Sequence, residues 1–236
     1  MWYIEFGNKE KYRKEWAMYM KKVLFYGDSN TYGFDPRGMM GGRLPASERW
    51  TDILASKVYE DWRVFADGMN GRVIPDNPYS LLSLDKTVLE NSPLDLFAVM
   101  LGTNDLISMS LPDAETVATK MRDFIERQLE RTEFIDNKTG FLLIAPPRIL
   151  PHMDENLEEA EAQRKRFSAE LDIIAQEVGI FFADASEWDL EMSFDGVHMN
   201  ADGHRVFADK MADILQNIDL TQERHEVDDY VCAHLA

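Results

Sequence analysis

The chain has 236 residues, 45% of them apolar and 29% charged, which is the balance of an ordinary globular protein with a sizeable core. A formal net charge of −18 repels nucleic acid and anionic membrane surfaces, and leaves a neutral small molecule free to approach. Cys232 is the single cysteine, no apolar run reaches membrane-spanning length, and six Lys/Arg and three Glu interrupt the first 22 residues, so intrachain disulfides, a spanning helix and a signal peptide are all excluded and a cytoplasmic setting without stable membrane association is expected.

In chain order, residues 1–19 place Tyr12, Trp16 and Tyr19 at helical spacing and read as a helical extension packed on the body or on a neighbouring subunit. Apolar runs follow at residues 23–26, 63–66, 94–101, 141–145 and 180–183, and helical patterns at 47–59, 79–91, 113–132, 155–178 and 202–217. The central runs are continuous rather than alternating, as parallel strands covered on both faces require. Strand alternating with helix predicts right-handed βαβ units and an α/β fold: a three-layer α/β/α sandwich around a flavodoxin-like, five-stranded parallel sheet of order 2-1-3-4-5. This assigns one domain to residues 20–217 and leaves 218–236 as an acidic tail. Residues 34–46, with Met39 and Met40, and residues 146–156, with His152, read as loops at strand ends, where substrate contacts commonly sit.

The first apolar run stops at Gly27-Asp28-Ser29-Asn30-Thr31-Tyr32-Gly33. A strand ending in such a turn leaves the Ser29 hydroxyl at the carboxyl edge of the sheet, where open α/β sheets place their ligands. Alone, such a serine is a helix cap. A serine hydroxyl needs a base, and of five histidines only His198 has an acid, Asp195, at a spacing that can fix its tautomer. His225 and His234 fall in the charged tail, and His204 opens the last helical pattern, where it can cap or pack. Acyl transfer also needs donors for an oxyanion. Asn104, in Gly102-Thr103-Asn104-Asp105 after the most apolar run, offers an amide; Gly71, in Asp67-Gly68-Met69-Asn70-Gly71-Arg72, lets the backbone approach a ligand; the Ser29 N–H is a third donor. Taken singly, these are an Asx-turn and a positive-φ turn, and Asp195 and His198 an incidental pair. Together they fall on one edge of one sheet. Tyr32, Phe34, Leu106, Ile107 and Met199 flank the region as candidate walls of an apolar pocket. The turn lacks the closing glycine of the G-x-S-x-G elbow, and no P-loop, G-x-G-x-x-G or H-E-x-x-H motif occurs. Asp28 and Asp105 read as acceptors for turn backbone rather than metal ligands.

These four blocks resemble, in order, those of the SGNH, or GDSL-type, hydrolase family: Gly27-Asp28-Ser29, then Gly71, then Gly102-Thr103-Asn104-Asp105, then Asp195-Gly196-Val197-His198, within residues 20–217. The Asp-Ser-Asn-Thr-Tyr-Gly wording and Arg49-Trp50 are most similar to the bacterial arylesterase and acyltransferase branch, some members of which form higher oligomers. The first block has Asn30 where the family name implies leucine, and the second has Ala66-Asp67-Gly68 where many members carry an asparagine. The resemblance implies Ser29 as nucleophile, His198 as base, Asp195 as its orienter, and Ser29, Gly71 and Asn104 as the oxyanion hole, with no metal or organic cofactor. It implies a carboxylic ester hydrolase acting on a small-molecule ester. Carbohydrate O-acetyl ester hydrolysis and acyl transfer at the same site are the alternatives within the enzyme class, and a ligand-binding module with an idle serine is the alternative outside it.

Overall fold

The computed structural model describes residues 20–38, 42–108, 110–151 and 154–221. The features expected on residues 1–19, on Met39 and Met40, on His152 and on the tail from 222 onward lie outside the described residues.

Five strands, β1 (Lys21–Gly27), β2 (Trp62–Gly68), β3 (Leu96–Met100), β4 (Gly140–Ala145) and β5 (Phe181–Asp184), form one all-parallel sheet in the order β2-β1-β3-β4-β5, as the alternating pattern predicts. Eight α-helices are described: α1 (Ser29–Tyr32), α2 (Trp50–Lys57), α3 (Pro78–Asn91), α4 (Thr103–Leu106), α5 (Ala114–Leu129), α6 (Thr132–Asp136), α7 (Glu155–Val178) and α8 (Ala201–Asn217), with a short 3₁₀ turn at Ala185–Glu187. Side chains alternate across β1, so that Val23 and Phe25 join Trp50, Leu54, Phe207 and Met211 under α2 and α8. Leu24 and Tyr26 join Leu84, Val88, Met121, Phe124, Phe167 and Leu171 under α3, α5 and α7. Both faces are therefore covered, which is why the central strands read as unbroken apolar runs. β2, at the sheet edge, is only partly buried.

Short polar residues start the long helices by taking up free backbone N–H groups. Asn77 and Ser80 cap α3 reciprocally, Asp113 caps α5, Asp154 caps α7, and Asn200 accepts from both Asp202 and Gly203 N–H at the start of α8. Each cap contributes about 1 kcal/mol. The structure departs from the sequence pattern in small ways. Residues 46–48 form a turn after Pro45 and the helix starts only at Trp50, the pattern at 113–132 breaks after Leu129 into α5 and α6, and Phe34–Asp35 pairs antiparallel with Gly42–Arg43 inside the expected loop. α1 and α4 are single turns, too short to show a helical period.

Strand register brings three loops to one place. Gly27 lies opposite Gly68 on β2 and Met100 on β3, so the three strands end level and their loops emerge side by side.

Candidate active site

β1 ends at Gly27 and the chain turns directly into α1. Asp28 caps that turn, its Oδ1 accepting the Asn30 N–H at 2.9 Å. Burial pushes the Asp28 carboxyl up to about 6, although the Asn30 hydrogen bond and the nearby His198 and Arg72 charges pull it back down. Ser29 follows in the first turn, nearly buried, with its Oγ 2.8 Å from His198 Nε2.

The last loop, just before α8, carries the acid and the imidazole. Asp195 Oδ2 lies 2.6 Å from His198 Nδ1, and Asp195 Oδ1 accepts the backbone N–H groups of Val197 and His198, both at 3.1 Å. Burial alone would raise the Asp195 carboxyl, but the hydrogen bonds from the imidazole and the two backbone amides outweigh it and hold the carboxyl below its usual range. An ionised Asp195 accepts a hydrogen bond from Nδ1–H, and that tautomer leaves the Nε2 lone pair for the Ser29 O–H. The Phe34 ring packs on the imidazole, centroids 4.6 Å apart. Asn30, fully buried, reaches the same loop: its Nδ2 donates to the Val197 carbonyl (3.1 Å) and its Oδ1 accepts the Met199 N–H (2.9 Å).

The loops after β2 and β3 complete the group. Gly102 holds φ +117°, and a Cβ there would lie 2.4 Å from the Phe167 ring, so glycine is needed twice over at the mouth of α4. Asn104 Nδ2 donates to the Arg72 carbonyl at 3.0 Å and stands 3.4 Å from Asp28 Oδ2, tying the three loops together. Gly71 has φ +72° and open space where a side chain would be. Neither its N–H nor that of Ser29 meets a backbone acceptor among the described residues. Arg72, which sequence reasoning passed over, anchors this loop. Its buried guanidinium donates to the Gly27 carbonyl (2.8 Å), to the Asp67 carbonyl and to Asp67 Oδ1 (2.7 Å), and lies 4.0 Å from the Tyr26 ring centroid. Asp105 braces the same loop, accepting the Ile74 N–H (3.1 Å) and the Lys120 ammonium (2.8 Å). Asp28 and Asp105 thus bind turn backbone, and among the described residues no three His, Cys, Asp or Glu side chains converge on one point.

Phe34 and Met199, two of the expected pocket residues, line a cavity of about 250 Å³ together with Leu44, Met192, Phe194 and the Asp35–Arg37 ion pair; Ser29 and His198 are not part of its lining. Met199 also packs into the core under α2 and α8. Leu106 requires a correction: it is fully buried in the core under α3, α5 and α7, because the single turn of α4 aims it back at the sheet rather than at the site. Tyr32 and Ile107 are half-buried and lie outside the cavity lining, Tyr32 with the Arg43 guanidinium 4.5 Å from its ring centroid. His204 packs: it is fully buried, its Nδ1 accepts the Trp50 N–H at 3.3 Å, and burial pulls its imidazole down to about 4. A larger cavity, about 480 Å³, lies between α7 and β5. It is lined by charges of both signs, among them Arg148, Glu161, Arg164 and Asp184, and Ser29 is not part of it.

A serine, a histidine and an acid in one hydrogen-bonded line at the carboxyl edge of a parallel α/β sheet is the arrangement of a serine hydrolase site. The model of the GDSL-like Lipase/Acylhydrolase family matches residues 25–206, and the chain belongs to that family. A GDSL lipase of Mycobacterium tuberculosis is 28% identical over 202 residues, covering 83% of this chain and 82% of its own. Among solved structures, a candidate arylesterase of Agrobacterium tumefaciens is 28% identical with a TM-score of 0.73, covering 85% of this chain and all of its own (100%). The aryl esterase of M. smegmatis, 24% identical with a TM-score of 0.73 over 83% of this chain and 98% of its own, shares the fold. Among the described residues no helix is long and apolar enough to cross a membrane.

Proposed function

We propose that this chain is a serine esterase that cleaves carboxylic esters of small or medium, mostly apolar substrates through a covalent acyl-enzyme. The observation that carries the reading is the line from Asp195 Oδ2 to His198 Nδ1 (2.6 Å) and from His198 Nε2 to Ser29 Oγ (2.8 Å). His198 takes the Ser29 proton as Oγ attacks the ester carbonyl, and Asp195 steadies the imidazolium that forms. The tetrahedral oxyanion is met by the N–H groups of Ser29 and Gly71 and by Asn104 Nδ2, whose 3.4 Å contact with Asp28 is long enough to yield to a closer, charged acceptor. His198 then gives its proton to the departing alcohol. Water, deprotonated by the same imidazole, attacks the acyl-enzyme, and the acid leaves with Ser29 restored.

Phe34, which lines the smaller cavity and packs on the His198 ring, supports a small substrate group with an apolar part held next to the site. At about 250 Å³ the cavity has room for a single aromatic ring or a short acyl chain, since an apolar cavity of roughly 150 Å³ already takes benzene. The net charge of −18 and the sole Cys232 favour a cytoplasmic protein acting on neutral small esters rather than on nucleic acid or membranes, with residues 20–217 as the catalytic domain and room for a homo-oligomer. The test is Ser29→Ala assayed on p-nitrophenyl acetate. Activity is expected to fall by on the order of 10⁶-fold with the circular dichroism spectrum unchanged. Activity within a few-fold of wild type would end the reading. Acetylated xylan and an added acceptor alcohol in the same panel separate hydrolysis of aryl esters from carbohydrate deacetylation and from acyl transfer.

A further inference from the structure

We infer that Asn30 is a positioning residue that sets the distance between the nucleophile and its base, an inference that rests on the esterase reading of Ser29 and His198. Asn30 is adjacent to Ser29 in the chain and 2% exposed. Its side-chain amide pairs with the two peptide groups that flank His198, donating from Nδ2 to the Val197 carbonyl (3.1 Å) and accepting the Met199 N–H at Oδ1 (2.9 Å). The pairing resembles one rung of a β-ladder, with a side chain standing in for the second strand. It holds the main chain on both sides of His198, so it fixes where the imidazole begins its reach toward Ser29.

The remaining backbone groups of His198 are held from within its own loop. Its N–H donates to Asp195 Oδ1 (3.1 Å) and its carbonyl accepts the Ser193 N–H (2.7 Å). Those bonds shape the loop but do not tie it to the nucleophile. Among the described residues the only hydrogen bonds between the turn at 28–33 and the loop at 195–200 are the two from Asn30 and the Ser29–His198 bond itself. Asn30 is in turn anchored at both ends of its own main chain: its N–H donates to Asp28 Oδ1 (2.9 Å), and its carbonyl accepts Trp50 Nε1–H (2.9 Å). A leucine at this place would fill the space and offer neither bond.

If Asn30 acts through His198, its loss affects the chemical step and not substrate binding. Asn30→Ala is expected to lower kcat on p-nitrophenyl acetate by about 10- to 100-fold, the scale of a reacting group displaced by about 1 Å, with KM within about threefold. Asn30→Asp keeps an acceptor for Met199 but sets a buried carboxylate oxygen against the Val197 carbonyl, so it is expected to lose at least as much, and Asn30→Ser, small and polar, serves where the alanine variant folds poorly. The deciding arm repeats Asn30→Ala on a His198→Ala background. There the residual activity is expected to be unchanged by the second substitution, because the group it positions is gone. A wild-type kcat in folded Asn30→Ala or Asn30→Ser, or an equal fold-loss with and without His198, would overturn the positioning role. Full activity in His198→Ala alone would instead overturn the esterase mechanism, so the two failures are distinguishable.

Discussion

On one side of the site, Ser29, Asn30 and His198 are joined across more than 160 residues of chain by three hydrogen bonds, none of which needs a full charge on either partner. On the other side, the loop after β2 is held by charges: Arg72 against Asp67, and Lys120 between Asp105 and Asp76. The difference follows from what each side has to do. In the proposed mechanism the nucleophile and base exchange a proton, and the one charge on that side, Asp195, acts from behind the imidazole at Nδ1, where it steadies the imidazolium without touching the Ser29 oxygen. The loop with Gly71 has to stay still, and partly buried ion pairs with directional hydrogen bonds hold a backbone in one place at the cost of desolvating the partners. Damage to the first side should therefore appear as lost rate, and damage to the second as lost stability.

The largest effect expected lies on the first side. Asp195→Asn keeps the shape but presents an amide to His198 Nδ1, favouring the wrong tautomer; kcat is expected to fall by about 10⁴-fold while the denaturation midpoint moves little. A large loss of stability with a modest loss of rate would erase the contrast between the sides. Next comes Lys120→Met, which leaves the buried Asp105 carboxylate without its cation. Urea denaturation is expected to show a loss of about 2–3 kcal/mol, discounted for the lysine's partial exposure, with kcat per folded molecule within a few-fold of wild type. Of similar size, but spread over the interval from pH 6.5 to 4, is a dependence on pH. His204 is held neutral by burial, its imidazole pulled from 6.5 down to about 4. The unfolded chain therefore binds the proton first as pH falls, so the stability His204 contributes is complete above about pH 6.5 and drains away as pH drops to about 4, by about 3 kcal/mol. Asp28, with its carboxyl pushed up to about 6, works oppositely, losing stability as pH rises through that value. Thermal melts of His204→Leu against wild type isolate the first term: the variant should gain relative stability between pH 6.5 and 4, and a constant difference would contradict a buried neutral imidazole.

Much of the fold was legible because its determinants are local. The continuous runs at 94–101 and 141–145 announce strands covered on both faces, and the helical patterns between strands dictate parallel crossovers. The ends of α2 and the break after Leu129 were not legible, because turn geometry and packing decide them rather than periodicity. Ser29, Asp195, His198, Gly71 and Asn104 could be chosen from the residues because each follows an apolar run or sits beside a partner of suitable chemistry. Leu106 was misplaced since α4 is one turn long, and nothing in Asn-Asp-Leu-Ile tells which side faces the sheet. Asn30 and Arg72 went unread for another reason: their partners lie 167 residues and 45 residues away along the chain, and only the folded sheet edge brings them together.

The most direct measurement is intact-mass and peptide mapping after treatment with a fluorophosphonate. One adduct is expected, on the peptide carrying Ser29, absent in Ser29→Ala and formed far more slowly in His198→Ala and Asp195→Asn. A folded protein that takes no adduct, or takes it at the same rate without the imidazole, would contradict an activated serine at the end of β1.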